Sequence, residues 1–304
     1  MRLSAILFGL VFMCAALAVA VPPQDSDDVR GAFLTSRPKE KKTTTSSTRP
    51  SRRRPKTSGM PGKTPNKTPD GSPGATGPQG SSPGSKGSTP STSTDSRPVN
   101  VPRLGLGLTL FSRDSNGLAV RVAPDRVFQK GDRVRILLET NADGYLYIFN
   151  RTNDGPAVMI YPDAELDEGG NYLQAHVPFE IPAADAADER LRWFAFDENA
   201  GAEKVIFIFT REPLKDVPIE DDLVAFCRNG KCPWPVATGV WDLVAQMQDP
   251  LKTDRKDRVG EAQTTAEKDT RGLGLAKDDP QPSLIMMASS RKPMLVATLD
   301  LIHK

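Results

Sequence analysis

Asp132-Arg133-Val134-Arg135-Ile136-Leu137-Leu138-Glu139-Thr140, then Asn141-Ala142-Asp143-Gly144, then Tyr145-Leu146-Tyr147-Ile148-Phe149-Asn150-Arg151: this run decides the fold. In its first part Val134, Ile136 and Leu138 alternate with Arg133, Arg135 and Glu139. A period of two with one charged face is the pattern of a half-buried β-strand. The four residues that follow are turn formers and predict a hairpin connection. The second strand is apolar on both faces, so it belongs in the interior of a sheet.

Strand-like runs recur on both sides of this pair. Leu104 to Phe111 and Leu118 to Val122 precede it. Ala157 to Tyr161 follows the turn Asn153-Asp154-Gly155-Pro156, and Ala175 to Ile181, Leu191 to Phe196 and Lys204 to Thr210 come next. Asp197-Glu198-Asn199-Ala200-Gly201 joins the last two. Short strands at this spacing, without intervening helical patterns, argue an antiparallel β-sandwich rather than βαβ units. The rhythm breaks at about 212–292. Asp221 to Cys227 and Val240 to Gln248 read as short helices, and the charged, aperiodic stretch Asp249 to Pro282 reads as a loop. A final strand carries Leu295, Ala297, Leu299 and Leu301 on one face, and we expect it to return to the sheet begun near Leu104. The expected class is therefore all-β, an antiparallel sandwich over 101–304 with a short helical and loop excursion before its final strand.

The N-terminal third is different in kind. Arg2 precedes an apolar run from Leu3 to Leu17, which ends in Ala18-Val19-Ala20 and then Val21-Pro22-Pro23. This is the pattern of a cleavable export signal over 1–20. An uncleaved anchor is the alternative reading, and lipid attachment at Cys14 a third. From 21 to 100 the chain is Ser, Thr, Pro, Gly and basic residues, with little to bury, and we expect a disordered spacer. Residues 30–97 hold 14 Lys/Arg against 3 Asp/Glu, whereas 98–304 hold 25 against 32. A basic arm thus precedes an acidic body. As a coil, some 70 residues span roughly 45 Å, and in polyproline form they reach ~200 Å.

Arg52-Arg53-Arg54 and Lys39-Glu40-Lys41-Lys42 could contact an anionic lipid or wall polymer. No aromatic residue interleaves the basic ones, which argues against nucleic acid. Gly71, Gly74, Gly77 and Gly80 repeat every third residue, a short collagen-like echo within the spacer.

Once Cys14 leaves with the signal, Cys227 and Cys232 remain, flanking Arg228-Asn229-Gly230-Lys231. Asn-Gly is a strong turn former, so the two thiols are brought together, and export would join them in a disulfide. A metal pair is the alternative, with His176, His303 or carboxylates as further ligands.

Three groups of residues combine into a resemblance. They are Pro124 to Phe128 with Gly131-Asp132-Arg133-Val134-Arg135, then Asp143 to Asn150, then Ile160-Tyr161-Pro162. Trp193-Phe194, Phe196-Asp197-Glu198 and Arg211-Glu212-Pro213 agree with them. Together they resemble the bacterial DUF4384 domain, over roughly Arg103 to Pro213. The resemblance implies an accessory binding or sensing role and no established active site.

The chemistry-bearing residues are few. There are two histidines, no Gly-x-Ser-x-Gly elbow outside the Ser/Pro/Gly-rich spacer, no Walker loop and no His-Glu-x-x-His. His303 lies at the extreme C-terminus, where positioning is hard, and His176 reads as a sheet residue. Asp163, Glu165, Asp167 and Glu168, before Gly169-Gly170-Asn171, could form a calcium loop, with a solvated acidic loop as the alternative. Tyr145, Tyr147 and Tyr161 could form an aromatic ligand platform if exposed together, or core if not. We expect a non-catalytic exported module of the cell envelope that binds an envelope protein or polymer. The alternatives are a hydrolase using paired carboxylates, or envelope association through the basic spacer.

Overall fold

The computed structural model describes residues 26–39, 101–163, 170–215, 217–236, 238–247, 249–268 and 274–304. The export-signal reading of 1–20 and the collagen-like repeat lie outside the described residues.

The domain is a sandwich of two sheets, as the alternating runs predict. The first sheet contains β1 (Gly105–Arg113), β2 (Ala119–Arg121), β4 (Arg133–Thr140), β8 (Phe179–Ile181), β9 (Phe194–Ala195), β11 (Leu251–Arg255) and β12 (Leu284–Ala288). Its main order is β11-β12-β1-β4-β8, with β2 on β1 and β9 on β4. The second contains β3 (Val127–Phe128), β5 (Gly144–Thr152), β6 (Val158–Tyr161), β7 (Tyr172–Leu173), β10 (Gly201–Thr210) and β13 (Met294–His303). Its order is β3-β13-β10-β5-β6, with β7 on β5. All pairings are antiparallel except β13 with β3. The main core lies between the sheets, where Val134, Ile136 and Leu138 of β4 meet Leu146 and Ile148 of β5 and Phe207 and Phe209 of β10.

Two expectations about connectivity are corrected. Asn141 to Gly144 does not close a hairpin, because β4 and β5 lie in opposite sheets. The segment crosses the core instead, and Asn141 anchors it by accepting the Gly105 N–H at 2.7 Å and donating to the Arg103 carbonyl at 2.9 Å. The chain can pass here because Gly144 has no Cβ; one would lie 2.4 Å from the Thr210 carbonyl oxygen. The last strand also closes the other sheet from the one expected. β13 pairs with β10 along ten residues, while β1 takes β12 as its neighbour, from within the stretch read as excursion.

Both outer faces are covered. Over the second sheet, α2 (Glu220–Arg228) and α3 (Thr238–Met247) form a second apolar cluster, setting Leu223, Val240 and Val244 against Tyr147, Phe149 and Ile208. That explains why β5 is apolar on both faces. Cys227 at the end of α2 is joined to Cys232 in a disulfide (Cα–Cα 4.8 Å), across a turn where Gly230 takes φ +70°.

The outer face of the first sheet carries α1 (Ser26–Thr35), inside the stretch that composition assigned to the spacer. Val29 and Phe33, one turn apart, pack on Ile285 and Met287 of β12. Pro38 follows the helix and cannot continue it. Beyond the exposed Arg133, the charged face of β4 is not wet. Arg135 and Glu139 are both buried, Arg135 beside Glu180 and Glu139 beneath Arg37.

Candidate functional site

A cavity of about 250 Å³ opens between the sheets at the end where β9, β10 and β13 meet. Its body is apolar: Val134 and Ile136 from β4, Ile160 from β6, Phe194 from β9, and Val205 and Leu301 from β10 and β13. Its polar end is made by Glu203, Asn150, Thr152, Asp197 and His303. Strand register sets this end. Glu203 pairs with Thr152 on one side and Leu301 on the other, so that all three lie in one band across the sheet.

Glu203 is only partly satisfied by the protein. Its Oε2 accepts from Asn150 Nδ2 at 2.7 Å and Thr152 Oγ1 at 2.8 Å. Its Oε1 stands 3.5 Å from His303 Nε2, and the Glu203 side chain is 17% exposed. His303 is 3% exposed, its ring tilted against Phe196 at 5.0 Å, and neither ring nitrogen has a hydrogen-bond partner. Asn150 Oδ1 is also unpartnered. Buried polar atoms are seldom left this way, and three of them around one cavity mark a place where a ligand or water completes the bonding. No Lys or Arg is among the described residues that line the cavity. Asp197 is held below the usual carboxylate range, chiefly by the backbone and side-chain N–H groups of Asn199.

A second constellation lies under α1. Ser36 Oγ is 2.7 Å from His176 Nε2, and His176 Nδ1 is 2.6 Å from Glu139 Oε1. These are the distances of a Ser-His-acid relay. Three features set it apart from a working nucleophile. Ser36 Oγ also has the Phe33 carbonyl as an acceptor at 2.8 Å, and a hydroxyl has one proton to give. Glu139 is clasped by Arg37 through two bonds, at 2.7 and 2.6 Å. Ser36 follows the C-terminus of α1, where helix carbonyls point outward and a developing oxyanion would be repelled. His176 adopts φ +60°, held by its N–H to Thr140 O and by its carbonyl to Leu275 N, both 2.7 Å.

The residues singled out in the sequence are scattered. Tyr145, Tyr147 and Tyr161 are all at most 2% exposed, which removes the ligand platform. The first two point into the cluster beneath α2 and α3, and Tyr161 points into the intersheet core. Tyr147 OH accepts the Leu214 N–H at 2.9 Å, and Tyr161 OH donates to the Gly170 carbonyl at 2.8 Å, so both act as buried anchors. Of the acidic loop only Asp163 is described; Glu165, Asp167 and Glu168 lie outside the described residues. Among the described residues no three His, Cys, Asp or Glu side chains gather as a metal-binding set. His303 and Glu203, which do share a site, were not foreseen as one. The available signal was that the alternation of the last strand continues through Leu301 to His303.

Two sheets with a cavity between them define the described part of the chain as an all-β sandwich domain. Residues 127–213 match the family described as a domain of unknown function (DUF4384), which bears out the resemblance read from the motifs. The match takes in every cavity residue named above except Leu301 and His303. No curated protein and no solved structure matches the chain. Among the described residues no helix is long and apolar enough to cross a membrane.

Proposed function

We propose that this chain is a non-catalytic binding module, exported to the cell envelope, whose intersheet cavity takes a small amphipathic ligand with a cationic, hydrogen-bond-donating head. The observation that carries the reading is His303 beside Glu203: buried ring nitrogens without a hydrogen bond and a carboxylate whose Oε1 meets the His303 ring at 3.5 Å, at the head of an apolar cavity. A charged donor such as an ammonium would complete Glu203 in a low-dielectric setting, where charge-assisted bonds are strong. Small-ligand sites generally have this form, an apolar body with a few convergent polar groups.

The non-catalytic part of the proposal is supported by both constellations. Asp197 is pushed toward ionisation, so it does not offer the protonated acid of a two-carboxylate pair. The Ser36 relay stands at the wrong end of a helix. Export is supported by the apolar N-terminus with its small-residue end and by the joined cysteines.

The test is calorimetric titration of the full chain with 2-phenylethylamine, 2-phenylethanol and phenylacetate. The expected order is amine over alcohol, with the carboxylate not binding, and Glu203→Gln removes the preference. Tightest binding of the anion, or no binding by any of the three, overturns the reading.

A further inference from the structure

We infer that the outer face of the first sheet is a receptor for a helix-and-turn segment bearing arginine, phenylalanine and arginine at the spacing of Arg30, Phe33 and Arg37, and that residues 26–39 are its exchangeable resident ligand. This surface is separate from the intersheet cavity, and the inference stands independently of what that cavity binds.

The receptor is built to shape. Gly105 and Gly107 are two residues apart on β1 and so share its outer face. A Cβ on Gly105 would come within 2.8 Å of the Phe33 ring. One on Gly107 would lie 3.1 Å from that ring and 2.4 Å from Pro282. The two glycines thus leave a slot, and Phe33 fills it with no exposed surface. His176 meets the ring edge-on at 5.7 Å. On one side of the slot Arg30 pairs with Asp254 and donates to the Pro282 carbonyl at 2.9 Å. On the other, Arg37 makes its two bonds to Glu139 and reaches the carbonyls of Ala276, Asp279 and Pro280 at 3.1, 3.0 and 3.0 Å. Arg30 and Phe33 lie one turn apart on α1, and Arg37 follows in the turn that Arg37 N–H closes on the Leu34 carbonyl at 3.1 Å, so one short helix-and-turn segment delivers all three groups. Acidic pockets on the sheet thus receive basic side chains from the helix and from the turn after it.

Two observations favour exchange over a permanent part of the fold. First, α1 contributes no residue to either large core; it packs in a small cluster of its own with Ile285 and Met287. Second, residues 40–100 separate it from β1, so the helix can leave without displacing any strand.

A linker of this length gives the resident helix an effective concentration around the millimolar range, so a free peptide competes poorly with it. The test uses a fluorescent peptide of residues 26–39 and the full chain carrying Arg30→Ala, Phe33→Ala and Arg37→Ala. The peptide is expected to bind this opened chain at least tenfold more tightly than the wild-type chain, and a Phe33→Ala peptide to lose at least tenfold. Equal binding to both chains overturns the inference. Should the triple variant fold poorly, hydrogen exchange on the wild-type chain answers the same question. Amides of 29–35 should exchange well ahead of those in β4 and β13, and exchange in step with them overturns the inference.

Discussion

Arg37 and Glu139, 102 residues apart in the chain, meet in a two-pronged ion pair with both side chains at most 3% exposed. The same carboxylate takes the His176 ring. Removing one member of a buried pair leaves an uncompensated charge, which typically costs about 3–5 kcal/mol. Arg37→Ala is therefore expected to lower stability by about that amount in urea unfolding, and adding Glu139→Gln should recover much of the loss. A loss below about 1 kcal/mol would mean that water reaches Glu139 as the helix lifts away.

The pair also shows where sequence reading stopped. Val29 and Phe33 are two apolar residues in a Ser-, Thr- and Pro-rich stretch, and averaged composition hides them. The face of β4 bearing Arg135 and Glu139 looked solvated because its partners lie far off in sequence: Arg37, Glu180 and, through Glu180, Gln263. Alternation could reveal strands but not the sheet each one joins, so the crossing at Asn141 to Gly144 read as a hairpin. The site was half legible. Its apolar wall is ordinary core pattern. Its head depends on β13 staying paired to its last residues, where His303 lies opposite Gly201 and Phe128.

Glu180 gives the domain a pH dependence. Burial pushes its carboxyl above the usual range, against the pull of Arg135 at 3.3 Å and Gln263 at 2.8 Å. For an acid whose folded value is raised, the fold favours the protonated form. That contribution is fully present below the ordinary carboxylate value of about 4.3 and is lost as pH rises through the higher folded value. The stability of the wild type relative to Glu180→Gln should thus fall between pH 4 and neutrality. Urea midpoints of both proteins at the two ends measure it, and a difference that grows with pH would contradict the assignment.

The Ser36-His176-Glu139 relay invites a direct assay. With its hydroxyl also placed on the Phe33 carbonyl and its position at the negative end of α1, Ser36 should not acylate. Incubation with p-nitrophenyl acetate is expected to give no burst, and the same slow rate for wild type and Ser36→Ala. Ser36→Ala removes one hydroxyl contact to a buried ring, so a stability loss of about 1 kcal/mol is expected from the hydrogen bond alone. A burst lost in Ser36→Ala would show that the relay is catalytic after all.

His303 separates ligand binding from folding. Its two nitrogens are buried without partners, and an unmade bond of this kind costs about 1–3 kcal/mol relative to a satisfied one. A residue kept for packing alone would be better replaced by an apolar side chain of similar reach, which also stacks on Phe196 without the penalty. His303→Leu is therefore expected to match or exceed the wild type in thermal stability without ligand. In calorimetric titration with 2-phenylethylamine it should bind at least tenfold more weakly, because the head then contacts Glu203 alone. Loss of stability with unchanged amine affinity would assign His303 to the core instead and leave Glu203 as the whole of the polar head.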